Sequence, residues 1–260
     1  MTDEKIKIVS LFSGSKGNCT YCSFGGYEFL IDAGGTAKKI CDALSSIGAS
    51  IDGISDIFIT HEHTDHISAL SVLMKKTNAS VHMNSLSARY AERKYPALIG
   101  RICEHPLIYE HVQGGVSIRS FPLSHDSASC VGYTVSLHGE KIFATATDTG
   151  YISSDALSTL CGCKYVFCEA NHDTDMLLFG IYPPFLKERI LSTRGHLSNK
   201  VCASLVHSLF EHGCERIMLS HLSEENNRPE IALREVLSEC GECAEDKICV
   251  ASQVRSTVLV

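Results

Sequence analysis

Excess positive charge is missing from this chain: 23 lysines and arginines stand against 30 aspartates and glutamates, a formal net charge of -7. That excludes a surface that attracts nucleic acid everywhere, but leaves room for a local basic groove. Divalent ions held in a site would add positive charge of their own. Apolar runs long enough to cross a bilayer are missing too, so no transmembrane helix is expected. The opening Met1-Thr2-Asp3-Glu4-Lys5 is charged and lacks the apolar stretch of a signal peptide, so the expected location is the cytoplasm. There is no internal repeat, no low-complexity tract and no linker rich in Pro, Gly or Ser. Residues 1–260 therefore read as one domain, long enough to bury a full core.

Cysteine is plentiful, at 13 residues. The count is odd and no export signal accompanies it, so reduced thiols are expected rather than disulfides. Cys19-x-x-Cys22 and Cys240-x-x-Cys243 have a spacing that suits a shared zinc, but scattered small core residues are the favoured reading.

The apolar pattern predicts strands over Ile6 to Phe12, Cys19 to Phe24 and Tyr27 to Asp32, the last two turning at Gly25-Gly26. Ala37, Ile40, Cys41 and Leu44 recur at helical spacing, with Gly48 as a stop. A short strand from Ile57 to Thr60 comes next, then a helix through Ile67, Leu70 and Met74. Further strands are expected over Val116 to Phe121, Cys130 to His138, Lys141 to Ala146, Lys164 to Glu169, Arg216 to Ser220 and Ile248 to Ala251. Val201 to Leu209 reads as an amphipathic helix, and Pro229 opens another. Segment 84–115 gives no clear pattern. Helices falling between groups of strands suggest two packed sheets with outer helices, an α/β (α+β) arrangement.

The most informative stretch is Thr60-His61-Glu62-His63-Thr64-Asp65-His66. Four potential ligands follow an apolar strand within six residues. Residues two apart in an extended loop point the same way, so His61 and His63 can grip one metal. The chain then turns into a helix, which sends Asp65 and His66 towards a second. Imidazole and carboxylate donors suit zinc, and also manganese or iron. His125, Asp148 and His221 each follow an expected strand and supply the remaining donors. A consistent allocation puts His61, His63 and His125 on one metal and Asp65, His66 and His221 on the other, with Asp148 bridging. His82, His105, His111, His138, His207 and His212 have no comparable context and read as surface or satisfied histidines.

These seven residues, in this order, resemble the ligand set of the metallo-β-lactamase superfamily. The resemblance implies a four-layer αββα sandwich with the site at one edge of the two sheets. Asp32 matches an early aspartate that supports the metal loop. The chain is further similar to the YycJ/WalJ group through 12–18, 146–151, 169–173, 195–199 and 219–227. That resemblance implies a metal-dependent phosphodiesterase that digests DNA from 5′ to 3′, with a role in DNA repair. RNase J-type nucleases carry a domain between the last two ligands, but only 72 residues separate Asp148 from His221 here. RNase Z pairs a glutamate with a histidine, and Glu169 and His196 fall in similar places.

The implied chemistry is attack on phosphorus by a hydroxide activated between two divalent ions. Asp65 would accept a proton, and His196 with Glu169 would act on the leaving oxygen. Ser13, Ser15 and Asn18 lie in a glycine-bearing loop suited either to phosphate or simply to a tight turn. Asn171, His172 and Ser198 are further expected substrate contacts; Ser198 and Asn199 precede a helix, whose N-terminus suits phosphate. The alternative is a small-molecule hydrolase acting on a cyclic nucleotide, phosphodiester or thioester, since one scaffold serves many substrates.

Overall fold

The computed structural model describes residues 5–260; the start of the charged opening run, 1–4, lies outside them. The first half holds β1 (Ile6–Phe12), β2 (Cys19–Phe24), β3 (Tyr27–Ile31), α1 (Ala37–Ser46), β4 (Asp56–Phe58), α2 (Thr64–Ile67), α3 (Leu70–Leu73), β5 (Ser80–Asn84), α4 (Ser85–Lys94) and β6 (Ile102–His105). The chain then crosses to a second sheet with β7 (Glu110–Gln113), β8 (Val116–Leu123), β9 (Cys130–Leu137), β10 (Glu140–Ala146), α5 (Ser154–Leu160) and β11 (Tyr165–Glu169). It ends with α6 (Thr174–Phe179), α7 (Pro184–Leu191), α8 (Asn199–Glu211), β12 (Arg216–Ser220), α9 (Pro229–Cys240), β13 (Ile248–Val250) and β14 (Thr257–Val258).

Two seven-stranded sheets result, ordered β14-β1-β2-β3-β4-β5-β6 and β13-β12-β11-β10-β9-β8-β7. Both are mixed. The two-residue period of each strand divides its side chains between two layers. In the first sheet Ile8, Phe29 and Phe58 face inward, while Val9, Leu30 and Ile57 face the outer helices. In the second, Phe167 and Met218 face inward, while Val166, Cys168, Ile217 and Leu219 pack beneath α5, α8 and α9. The strands are therefore apolar on both faces, and the fold is a four-layer αββα sandwich.

The same parity separates Cys19 from Cys22, which join different clusters on opposite faces of β2. They cannot hold one metal together. Every cysteine is a free thiol, and Cys243 is exposed.

One expected element is corrected. The helix through Ile67, Leu70 and Met74 is two short helices, α2 and α3. The Ala69 amide donates to the Ala33 carbonyl at 2.9 Å, and Ala33 N–H donates to the His66 carbonyl at 2.7 Å. Docking on the segment after β3 takes these groups out of the helical ladder. Segment 84–115 resolves into α4 and two edge strands, β6 and β7, whose mostly exposed residues carry no alternation.

Candidate metal centre

β1, β3 and β4 run in one direction in the first sheet, as do β8, β10, β11 and β12 in the second. Their C-terminal ends meet at one edge. Ser13, Asp32, His61, His125, Asp148, Glu169 and His221 all lie just past or at these ends. Three of them bend the chain sharply: Asp32, Asp148 and His221 adopt positive φ of 63°, 60° and 57°. For residues with a Cβ this conformation costs about 1–3 kcal/mol each, and it persists only where the surroundings enforce it. Here they do. Asp32 N–H donates to the Phe58 carbonyl at 2.9 Å, and His221 N–H donates to Ser13 Oγ at 2.9 Å.

The structure brings the seven candidate ligands into two groups. Donor atoms of His61, His63 and His125 lie within 4.8 Å of one another, as do those of Asp65, His66, Asp148 and His221. His63 Nδ1 is 3.2 Å from His125 Nε2. His66 Nε2 is 3.3 Å from both Asp65 Oδ2 and Asp148 Oδ2, and His221 Nε2 is 3.4 Å from Asp148 Oδ1. His61 Nε2, Asp148 Oδ2 and His221 Nε2 are buried without a hydrogen-bond partner. Orphaned buried polar atoms are costly, about 1–3 kcal/mol each, and three aimed into one space fit a cation. Imidazole and carboxylate donors in this arrangement suit divalent metals.

The ring nitrogens facing away from this space are tied down. His66 Nδ1 meets Asp32 Oδ2 at 2.8 Å, His221 Nδ1 meets Glu169 Oε1 at 2.9 Å, and His125 Nδ1 meets the Gly195 carbonyl at 3.1 Å. With Nδ1 engaged from behind, Nε2 is the ring nitrogen that each histidine turns to the centre. Asp32 also accepts from Thr60 N–H and Thr60 Oγ1, which braces the start of the histidine loop. The early aspartate thus supports the loop from behind.

Glu169 does more than the sequence suggested. It is fully buried, and its Oε1 accepts from both His221 and His196 Nδ1, the latter at 2.6 Å. Its Oε2 accepts from Thr149 N–H and Leu197 N–H at 2.9 and 3.2 Å. Burial alone would raise its pKa, but His196 and His221 outweigh that and hold it down at about 2. Burial also opposes ionisation of Asp65, yet His66 and His221 keep that carboxyl far below the usual range. Burial and the neighbouring His66 lower the pKa of His61, leaving it neutral.

The expected substrate contacts fall into two kinds. Ser15 is exposed and lines the cleft over the centre, together with Asn171, Tyr182 and His196. Ser13 and Asn18 are buried and work on the scaffold. Ser13 Oγ accepts from His221 N–H and donates to Asn18 Oδ1, and Asn18 Nδ2 reaches Asp65 Oδ2 at 3.2 Å. Asn171 Nδ2 donates to the His221 carbonyl at 3.0 Å. Ser198 Oγ caps α8 by accepting from Val201 N–H at 3.3 Å. His172 is buried with both ring nitrogens unpartnered and does not line that cleft.

Sequence reasoning missed a second cleft beside His63 and Asp65. Tyr90, Arg93, Lys94 and Arg189 line it. The cations come from α4 and α7, neither of which the apolar pattern of the sequence marked as a helix.

Fold and centre together define a class: the chain belongs to the metallo-beta-lactamase superfamily, whose family model matches residues 13–188. Within that class it is 35% identical to Exodeoxyribonuclease WalJ of Streptococcus pneumoniae over 237 residues, covering 89% of this chain and 87% of that one. It is 34% identical to Exodeoxyribonuclease YycJ of Bacillus anthracis over 239 residues, covering 89% of each. Among solved structures it resembles the metallo-beta-lactamase fold protein YhfI of Bacillus subtilis, with a TM-score of 0.72 at 12% identity over 98% of this chain and all of that one. The chain is a metal-dependent hydrolase. No described helix is long and apolar enough to cross a membrane.

Proposed function

We propose that the chain works as one domain and is a 5′→3′ DNA exonuclease using two divalent ions. His61, His63 and His125 would hold one ion and Asp65, His66 and His221 the other, with Asp148 between them. Zinc is the expected metal, with manganese or iron as alternatives, and the thirteen free thiols agree with a reducing cytoplasm. Bound there, the ions supply Lewis acidity to a phosphoryl oxygen and make water a stronger nucleophile near neutral pH.

The chain's own residues do the rest. Asp65, ionised and braced by Asn18, orients the attacking water and takes its proton. His196 has Nδ1 committed to Glu169, so its Nε2 is the atom that can donate to the leaving oxygen. Glu169 fixes the ring in that orientation through Nδ1.

The observation that carries the nucleic-acid reading is the cleft of Arg93, Lys94, Arg189 and Tyr90 joined to the centre at His63 and Asp65. On a chain with a net charge of -7, Arg93 and Lys94, with Arg189 paired to Asp126 behind them and the exposed ring of Tyr90, form a local basic groove of the kind a phosphate backbone needs. The two relatives named exodeoxyribonucleases support DNA as the substrate.

Metal-loaded protein is to be assayed on end-labelled duplex DNA, on matched RNA and on a chromogenic phosphodiester. Stepwise release of mononucleotides from the 5′ end is expected, with Asp65→Ala reducing the rate by about 10³-fold or more without loss of fold. Turnover of the small phosphodiester with no cleavage of DNA sinks the nuclease reading. Wild-type rates in Asp65→Ala sink the mechanism.

A further inference from the structure

Three of the histidines that looked unremarkable in the sequence lie in the inner layer of the sandwich, near the edge formed by β5, β6 and β7. Strand parity puts them there. Asp56 is two residues before the inward-facing Phe58, and His82 pairs with Phe58 across β4 and β5. His105 shares that face of β6, because it pairs with Asn84, two residues beyond His82. From the other sheet, His111 pairs with the inward-facing Ile118. Asp56 and His82 are buried and His111 is partly buried, with aromatic neighbours. His82 stacks on Phe58 at 4.8 Å, and His111 meets the same ring edge-on at 5.4 Å.

We propose that Asp56, His82 and His111 form a second divalent-cation site, of the imidazole- and carboxylate-ligated class that zinc occupies, clipping one sheet to the other. It is separate from the His61 centre. Asp56 begins β4 and His61 follows its far end, five residues on, about 16 Å away along an extended chain.

Donor atoms of the three residues lie within 4.8 Å of one another. Asp56 Oδ1 is 2.8 Å from His82 Nε2, and Asp56 Oδ2 is 3.9 Å from His111 Nε2. Tetrahedral zinc with bonds of about 2.0–2.1 Å separates its donors by about 3.3–3.4 Å. Asp56 turns a different oxygen to each imidazole, so rotation of the carboxylate and small shifts of the rings are what bring one donor from each residue onto a shared ion. His111 Nε2 is buried with no hydrogen-bond partner, so a ring nitrogen already faces this space unsatisfied.

The surroundings fit as well. Tyr27 OH donates to Asp56 Oδ2 at 2.8 Å and fixes the carboxylate. His82 Nδ1 lies 2.9 Å from His105 Nε2, and His105 stacks on Tyr109 at 4.0 Å. When His82 Nε2 gives its lone pair to a cation, Nδ1–H donates to His105, the usual second hydrogen bond of a metal-bound imidazole. Three protein donors leave the fourth position to water. The role is structural: β6 and β7 are edge strands of different sheets, and no described strand pairing joins the sheets here.

The full chain, stripped of metal, is to be titrated with Zn²⁺ and with Co²⁺ and its bound ions counted by elemental analysis. The wild type is expected to bind about one equivalent more than Asp56→Asn or His111→Gln, and to gain more in Tm on adding Zn²⁺. Nuclease activity of both variants is expected to match the wild type, since neither residue belongs to the His61 centre. A His61→Ala/His63→Ala chain still holds an ion that His111→Gln removes, so this site is tested whether or not the His61 centre behaves as proposed. Equal ion content and equal Tm response in wild type, Asp56→Asn and His111→Gln overturn the proposal and leave a hydrogen-bonded cluster only.

Discussion

Glu169 joins two imidazoles with one oxygen, and that makes it the most consequential non-ligand of the centre. Glu169→Gln keeps the volume but replaces one acceptor oxygen with a donor nitrogen. Metal affinity and kcat/KM are each expected to fall about 10–100-fold, the usual range for an outer carboxylate behind a metal-bound histidine. Isothermal titration and steady-state kinetics on the purified variant check this. His172 gives a prediction of the opposite character, about stability. Burial lowers its pKa from the ordinary 6.5 to about 4, so it is neutral in the folded state where the unfolded chain takes up a proton. Its contribution is intact above pH 6.5 and is lost as pH falls towards 4, up to about 1–3 kcal/mol. Denaturant melts at pH 7.5 and 4.5 should show a smaller acid loss in His172→Gln than in the wild type; identical slopes rule out this residue as the cause.

The segment after β3 shows how an element places a ligand it does not contain. Asn18 N–H donates to the Asp65 carbonyl at 2.8 Å, and Gly34 N–H donates to the Asn18 carbonyl at 2.9 Å. A Cβ on Gly34 would sit 1.7 Å from the Asp65 carbonyl oxygen, backbone that cannot swing aside. Gly34→Ala is therefore expected to cost several kcal/mol, about 2–4, and to abolish activity by moving Asp65 and His66. Ser198→Ala is the milder contrast: it removes the α8 cap, costs about 1 kcal/mol and leaves the ligands in place. Urea melts and activity assays separate the two. Elements buried on both faces or strictly periodic, such as β1, β12 and α8, were legible from their apolar pattern. α6 and α7 were not, because Phe179 and Phe185 are exposed there and break the helical period.

At the scale of the whole molecule, the two sheets converge at an edge where buried carboxylates and imidazoles face one another. There His61 Nε2, Asp148 Oδ2 and His221 Nε2 are buried with no hydrogen-bond partner, a cost that a bound cation removes. Chelation is therefore expected to abolish hydrolysis and lower Tm by several degrees, with both restored by Zn²⁺ or Mn²⁺. Calorimetry with and without chelator checks this, and an unchanged Tm would falsify metal-linked folding stability.

What the sequence by itself determined was the donor set and the strands that carry it. Four donors packed into His61 to His66 are a local signal, and alternating apolar residues report on their own strand alone. Tertiary structure decided everything that depends on register between distant strands: that Glu169 backs His221 as well as His196, that Ser13 and Asn18 face the scaffold, that Cys19 and Cys22 lie on opposite faces, and that Asp56, His82 and His111 meet across the sheets. The physical reason is the two-residue period of a strand: pattern tells which residues share a face, but only packing tells what that face meets.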